Sequence, residues 1–166
     1  MAVAVETASA QSLSINVYSQ RDSRWSGQRM APSSLTVGNY GCLMTCLAST
    51  YRVSPNTLNS WLSRNGGYTS GGLVNHEAAA RFDGSGGLRY SGGGSLPTSA
   101  GSIGRGIARG AVYVTASRRF SGSTHWVLVF AVSGNQVYYM DPWDGTVRMV
   151  GDSWVRYGNE TRVYSF

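Results

Sequence analysis

The sequence predicts an α+β fold, with an N-terminal helical half packed on a C-terminal antiparallel β-sheet. Between residues 42 and 82 the apolar residues recur at helical spacing, whereas after Pro97 short runs become rich in β-branched and aromatic residues. A chain of 166 residues is long enough for one domain with its own core. We expect residues 1–13 to form an extended N-terminal arm and residues 14–166 to form that domain.

Three helices are predicted in the N-terminal half, and a fourth follows Pro97. Ser54 can cap the second helix with Pro55 at its first position, and Asn65-Gly66-Gly67 then ends it. The glycine-rich segment from residue 84 to residue 94 reads as a surface loop. The predicted helices cover residues 42–52, 55–64, 74–82 and 99–109.

Five strands are predicted after the fourth helix. Ser133-Gly134-Asn135-Gln136 separates two apolar runs and indicates a β-hairpin. The chain shows no internal repeat and no linker long enough to divide it. The predicted strands cover residues 111–115, 126–132, 137–140, 146–150 and 162–166.

Composition excludes several classes of partner. The net charge is +6 and every basic residue is arginine, but no basic run occurs, so we expect no nucleic-acid partner. No apolar run is long enough to cross a bilayer, and the segment Met1 to Glu6 lacks the basic start of a signal peptide. We therefore expect no membrane partner, and the sequence assigns no cellular compartment.

Cys42 and Cys46 are the only cysteines. On a helix their side chains point in nearly parallel directions, which disfavours a disulfide. A structural zinc site is also disfavoured, because the sequence lacks a second compact pair of ligands: His76 and His125 are the only histidines, and they are far apart in the chain. We therefore expect no metal and no cofactor, which leaves core packing or nucleophilic chemistry for the thiols.

Position distinguishes the two thiols. A cysteine in the first turn of a helix lies at the positive end of the helix dipole, which favours the thiolate, so Cys42 is the candidate nucleophile. Cys46 lies one turn later on the apolar face and is expected in the core. His125 precedes a predicted strand, and Asp141 ends the other strand of the hairpin. Antiparallel pairing brings both to one edge of the sheet, where Asp141 can orient the imidazole.

Several ordered motifs then carry a resemblance to a known family. Their order and gaps resemble those of cysteine peptidase family 39 and its relatives. These papain-like enzymes include bacteriocin-leader processing domains, and similar single domains occur in phage and bacterial cell-wall proteins. The resemblance covers residues from about 15 to the C-terminus. The motifs are Tyr18-Ser19-Gln20-Arg21-Asp22-Ser23-Arg24-Trp25, Thr36-Val37-Gly38-Asn39-Tyr40-Gly41-Cys42, Ser54-Pro55-Asn56, Asn65-Gly66-Gly67-Tyr68, His125-Trp126 and Asp141-Pro142.

The resemblance implies a papain-like fold and assigns four catalytic roles. Cys42 attacks, His125 acts as general base and acid, Asp141 orients His125, and Gln20 helps to form the oxyanion hole. A side-chain amide that donates to the developing oxyanion is what amide hydrolysis requires. Asp22 and Trp25 are expected to secure the segment that carries Gln20.

Three further residues are candidates for substrate binding. Trp126 and Trp143 flank the proposed triad in sequence, and each is either a core anchor or part of the wall of a substrate cleft. Gly41 directly precedes the nucleophile.

Three functions remain open at this stage. The first is a thiol peptidase or amidase acting on peptides, with peptidoglycan as the substrate that the resemblance implies. The second is a non-catalytic structural or binding module of a phage particle or cell surface, attached to a larger assembly through the N-terminal arm. The third is a Cys-His-Asp acyltransferase, which shares the thioester intermediate.

Overall fold

The computed structural model of the protein describes residues 10–82, 87–116 and 125–166. Within these ranges helices and antiparallel strands combine, so the α+β class is confirmed. The helices are α1 (Val37–Tyr40), α2 (Cys42–Tyr51), α3 (Pro55–Arg64), α4 (His76–Ala80) and α5 (Ala100–Ala108), with a 3₁₀ helix at Asp152–Tyr157. The strands are β1 (Gln11–Ser12), β2 (Arg89–Gly94), β3 (Ala111–Ala116), β4 (Trp126–Ser133), β5 (Gln136–Asp141), β6 (Thr146–Gly151) and β7 (Glu160–Ser165).

Polar caps fix where several helices begin. Ser54 accepts a hydrogen bond from the backbone N–H of Thr57 (3.2 Å), as the sequence predicts. Ser99 caps α5 in the same way, through the N–H of Ser102. Asn75 accepts from the N–H of Ala78, so α4 begins after Asn75 and is shorter than the predicted helix over residues 74–82.

The described strands form one antiparallel sheet in the order β2-β7-β3-β4-β5-β6, with β1 also paired to β4. The expected hairpin is present, because β4 and β5 pair through the turn after Ser133. All five predicted strands are found, within one or two residues of their predicted ends.

Helices cover both faces of the sheet. Side chains on one face, such as Val112, Leu128 and Met140, pack in the same core as α2 and α3. Alternate positions on the other face, such as Tyr113 and Val129, pack in a second core with α5. This arrangement follows from the alternation of side chains along a strand, and it explains why Val127 to Val129 form a continuous apolar run.

Two segments differ from the prediction. The glycine-rich segment expected as a loop contains β2, which is the edge strand of the sheet and pairs with β7 (Tyr90 opposite Tyr164). Residues 84–86 of that segment lie outside the described residues. Glycines carry no side chains to show the alternation of a strand, and a register shift interrupts β2 at Gly92. At the end of the predicted arm, Gln11–Ser12 pairs with β4 and so belongs to the sheet, whereas residues 1–9 lie outside the described residues.

The length and the apolar character of a helix decide whether it can span a membrane. Over the described ranges, the helices are all too short or too polar to cross a bilayer.

Candidate active site

Cys42 is the first residue of α2. The sequence predicts a loop before it, but Val37–Tyr40 forms one helical turn, α1, and Gly41 joins that turn to α2. Gly41 has no room for a side chain, because an added Cβ would lie 2.6 Å from the carbonyl oxygen of Val37. This close approach sets the direction in which α2 begins, and Cys42 is left partly exposed at its start.

Cys46 has the surroundings predicted for it. It is fully buried in the core between the helices and the sheet, and its Sγ lies 3.8 Å from the carbonyl oxygen of Trp126. Burial raises the pKa of the Cys46 thiol well above its usual value. Cys46 is therefore a neutral core residue.

His125 and Asp141 meet at one end of the sheet. His125 directly precedes β4 and Asp141 ends β5, and the antiparallel pairing of these strands places their side chains together. His125 Nε2 lies 2.6 Å from Asp141 Oδ1, and both side chains are largely buried. The sequence predicts this contact from the hairpin alone. Since Nε2 faces Asp141, Nδ1 is the ring nitrogen left for Cys42.

Asp141 is held in the ionised form. It also accepts a hydrogen bond from the backbone N–H of Trp143 (2.9 Å). Burial alone would raise the pKa of Asp141, but the hydrogen bonds from His125 and Trp143 outweigh burial and lower it. A carboxylate with two donors keeps one orientation, so it can fix the orientation of the imidazole.

His125 is held in the protonated form. Burial opposes its charge, but hydrogen bonds to Asp141 and Cys42 outweigh burial and raise the pKa of His125 to about 9. Below that pH an imidazolium therefore lies beside the Cys42 thiol.

Gln20 connects the two halves of the site. It is buried, and its backbone N–H donates to the carbonyl of Pro142 (2.7 Å), next to Asp141. Its Nε2 donates to the carbonyl of Gly38 (3.1 Å) in α1. Among the described residues Gln20 Oε1 has no hydrogen-bond partner. The contact with Gly38 places Gln20 beside the helical turn that leads to Cys42, and its part in an oxyanion hole stays a prediction.

The segment that carries Gln20 is fixed as expected. Trp25 is buried and its Nε1 donates to the carbonyl of Ser19 (2.8 Å). Asp22 accepts from the N–H and guanidinium of Arg24.

An open cavity of about 310 Å³ lies beside Cys42. Trp126 lines it and also packs against the core, and its role in substrate binding stays a prediction. Trp143 is not a core anchor: it is 42% exposed and stands edge-on to His125, with ring centroids 6.4 Å apart. Gly41 serves the geometry of the helix start, and its role in substrate binding stays a prediction.

Several residues around the site were not predicted from the sequence. Tyr40 and Asn39 directly precede Gly41, so their position next to the motif was a usable signal. Leu73 and Val74 reach the cavity from the loop after α3, where the isolated bridge between Tyr68 and Val74 holds the chain. Nothing in the local sequence of that loop indicates its proximity to Cys42.

His76 contacts two tyrosines of the sheet. Its Nδ1 is 2.6 Å from the hydroxyl of Tyr164, and its ring stacks on Tyr90. Burial, and to a lesser extent Arg162, lower the pKa of His76. The imidazole is therefore mostly neutral near pH 7.

The described residues contain no group of three or more His, Cys, Asp and Glu side chains arranged to hold a metal ion. Comparison with known proteins adds no family assignment: no family model matches the chain, and no curated protein matches it in sequence.

Proposed function

We propose that the protein is a thiol peptidase with a papain-like fold, and that Cys42, His125 and Asp141 form its catalytic triad. The observation that carries this proposal is the position of His125, whose Nε2 lies 2.6 Å from Asp141 Oδ1 and whose pKa is raised by its interactions with Asp141 and with Cys42, the first residue of a helix. The packing of that helix against the sheet that carries His125 and Asp141 supports the papain-like arrangement.

The chemistry follows from these positions. The Cys42 thiolate attacks the carbonyl carbon of a peptide bond. The backbone N–H of Cys42 stabilises the oxyanion, together with the amide of Gln20, whose Nε2 exchanges its bond to the carbonyl of Gly38 for one to the oxyanion. Protonated His125 gives its proton to the leaving amine, the C–N bond breaks and a thioester remains on Cys42. Neutral His125 then takes a proton from water, whose oxygen attacks the thioester and releases the acid and the thiolate. Asp141 holds the imidazole throughout.

We propose peptides of the bacterial cell wall as substrates. The resemblance to single domains of phage and cell-wall proteins supports this choice, and so does the partly exposed thiol beside an open cavity. A net charge of +6 favours association with an anionic cell wall.

The test is incubation of the protein with purified peptidoglycan and with a peptide mixture, followed by mass spectrometry of the products. We expect new amino termini from the wild-type protein, none from Cys42→Ala, and cleavage by Cys46→Ala in proportion to its folded fraction. Products that form only when an amine is added would point to an acyltransferase instead. Retention of cleavage by Cys42→Ala would contradict the proposal, and an unreactive Cys42 without products would favour the binding module.

A further inference from the structure

A second cavity, polar in character, lies next to the cavity at Cys42. It has a volume of about 300 Å³ and is lined by Arg21, Ser26, Gly27, Thr36, Gly38 and Asn39. Asn39 lines both cavities, so the two are neighbours along the chain that leads to the nucleophile. A peptide bound across Cys42 can therefore extend into the polar cavity.

Arg21 supplies the positive charge of this cavity. Its guanidinium carbon lies 4.6 Å from the ring centroid of Trp143, and that indole is perpendicular to the His125 ring, with ring centroids 6.4 Å apart. The backbone holds this arrangement: Ser19 Oγ donates to the carbonyl of Trp143 (2.9 Å) and accepts from the N–H of Arg21 (3.1 Å). The guanidinium therefore lies on the His125 side of the site.

Arg21 has no carboxylate partner within the part of the chain that the structure describes, although carboxylates are close in sequence. Asp22 pairs with Arg24, Asp144 with Arg148, and Asp141 with His125. A guanidinium has five N–H donors in a planar fork that matches a carboxylate. These donors are therefore available to a ligand.

We propose that Arg21 binds a carboxylate on the leaving-group side of the cleaved bond, and so determines substrate specificity. This inference rests on the proposed function, because His125 protonates the leaving amine and the leaving residue must then lie beside His125 and Trp143. The carboxylate belongs either to the free C-terminus of the leaving residue or to its acidic side chain.

The test compares alkylating probes that carry a carboxylate at the terminus, on the side chain or not at all. The probes are N-chloroacetyl-glycine, its neutral amide, and the α-amide of N-chloroacetyl-glutamate, whose carboxylate is on the side chain. The thiolate of Cys42 displaces chloride from each probe and forms a thioether, and mass spectrometry gives the rate. The measured quantity is the rate with each acid divided by the rate with the neutral amide.

Arg21→Gln is the test variant and Arg29→Gln is its matched control. Arg29 is exposed, does not line the polar cavity and donates to the carbonyl of Ser33 (3.3 Å), so its loss removes the same charge elsewhere. Arg24 is unsuitable as a control, because its removal would leave Asp22 unpaired next to Arg21.

We expect Arg21→Gln to lower the ratio for at least one acid by roughly twofold to fivefold, the range for a partly exposed ion pair. Arg29→Gln should leave the ratio unchanged. The acid that responds shows whether the terminal or the side-chain carboxylate is recognised. Equal ratios in the wild type and Arg21→Gln would overturn the inference and leave the proposed function intact. Failure of Cys42 to react with any probe would overturn both.

Discussion

Cys42 and Cys46 lie one helical turn apart but have opposite surroundings. Cys42 begins α2, is partly exposed and contributes to the raised pKa of His125, whereas Cys46 is fully buried and its thiol is held neutral by burial. A single turn of helix therefore separates a partly exposed position from a core position.

Replacing each thiol by alanine should separate chemistry from stability. We expect Cys42→Ala to lose all turnover and to unfold at nearly the same urea concentration as the wild type. Cys46→Ala should remain reactive at Cys42 but lose about 1 to 2 kcal/mol of unfolding free energy, because it leaves a small cavity in the core. Urea unfolding and peptide cleavage measure the two effects. Equal loss of activity in two well-folded variants would contradict the choice of nucleophile.

Asp141 should set the alkaline limit of activity through His125. Asp141→Asn keeps an oxygen acceptor for the imidazole but removes the negative charge, so the pKa of His125 should fall from its value of about 9. We expect the alkaline limb of the pH–rate profile to move down by about one unit or more. Asp144→Asn is the control, since Asp144 pairs with Arg148 rather than with His125. An unmoved limb in Asp141→Asn would show that Asp141 does not stabilise the imidazolium.

At the scale of the elements, the site depends on how α1 leads into α2. The two helices meet at Gly41, which packs against the backbone of Val37, while Gln20 ties α1 to the turn after β5. These contacts position the start of α2 opposite the ends of β4 and β5.

Gly41→Ala should therefore displace Cys42. The φ of Gly41 is −85°, which any residue can adopt, so the effect is steric and comes from the carbonyl oxygen of Val37 at 2.6 Å from the added Cβ. We expect a loss of about 1 to 3 kcal/mol in unfolding free energy and slower alkylation of Cys42. The control is Gly151→Ala, because an added Cβ there has no atom within 4 Å and Gly151 has an extended backbone at the end of β6. Normal stability and reactivity in Gly41→Ala would mean that α1 can move away from the added Cβ without loss of unfolding free energy, and would contradict the steric role of Gly41.

The sequence predicts the elements near the site better than their surroundings. Ser54, the hairpin after Ser133 and the cysteine positions carry local signals that fix α3, the strand pair and the start of α2. β2 could not be predicted because its glycines show no alternation and its partner β7 is distant in sequence. The approach of Leu73 to Cys42 depends in the same way on tertiary packing.

At the scale of the whole molecule, the sheet is covered by helices on both faces and carries the proposed triad at one end. The interactions that hold the triad should therefore contribute to the stability of the domain. The two histidines of the chain have pKa shifts of opposite sign, which gives this contribution a pH dependence.

The free energy of unfolding should fall as the pH rises from about 6.5 to about 9. His125 has a raised pKa in the folded state, so its contribution is complete below the unfolded value and is lost as the pH passes the folded value. The loss should be on the order of 2 to 3 kcal/mol.

His76, with a lowered pKa, contributes above about pH 6.5 and loses its contribution at lower pH. Urea unfolding at several pH values in this range measures how steeply the free energy of unfolding changes with pH, and we expect a smaller change in His125→Gln. An equal slope in that variant would assign the dependence to other groups.

The most direct test of the account is the pH dependence of Cys42 alkylation by iodoacetamide, in a Cys46→Ala background and read by peptide mass spectrometry. If His125 holds a proton beside Cys42, rapid labelling should persist well below pH 8. His125→Ala should then react only as the pH approaches about 8.5, like an ordinary thiol. The same late rise in the protein that retains His125 would contradict the triad, and the domain would then be a scaffold without this chemistry.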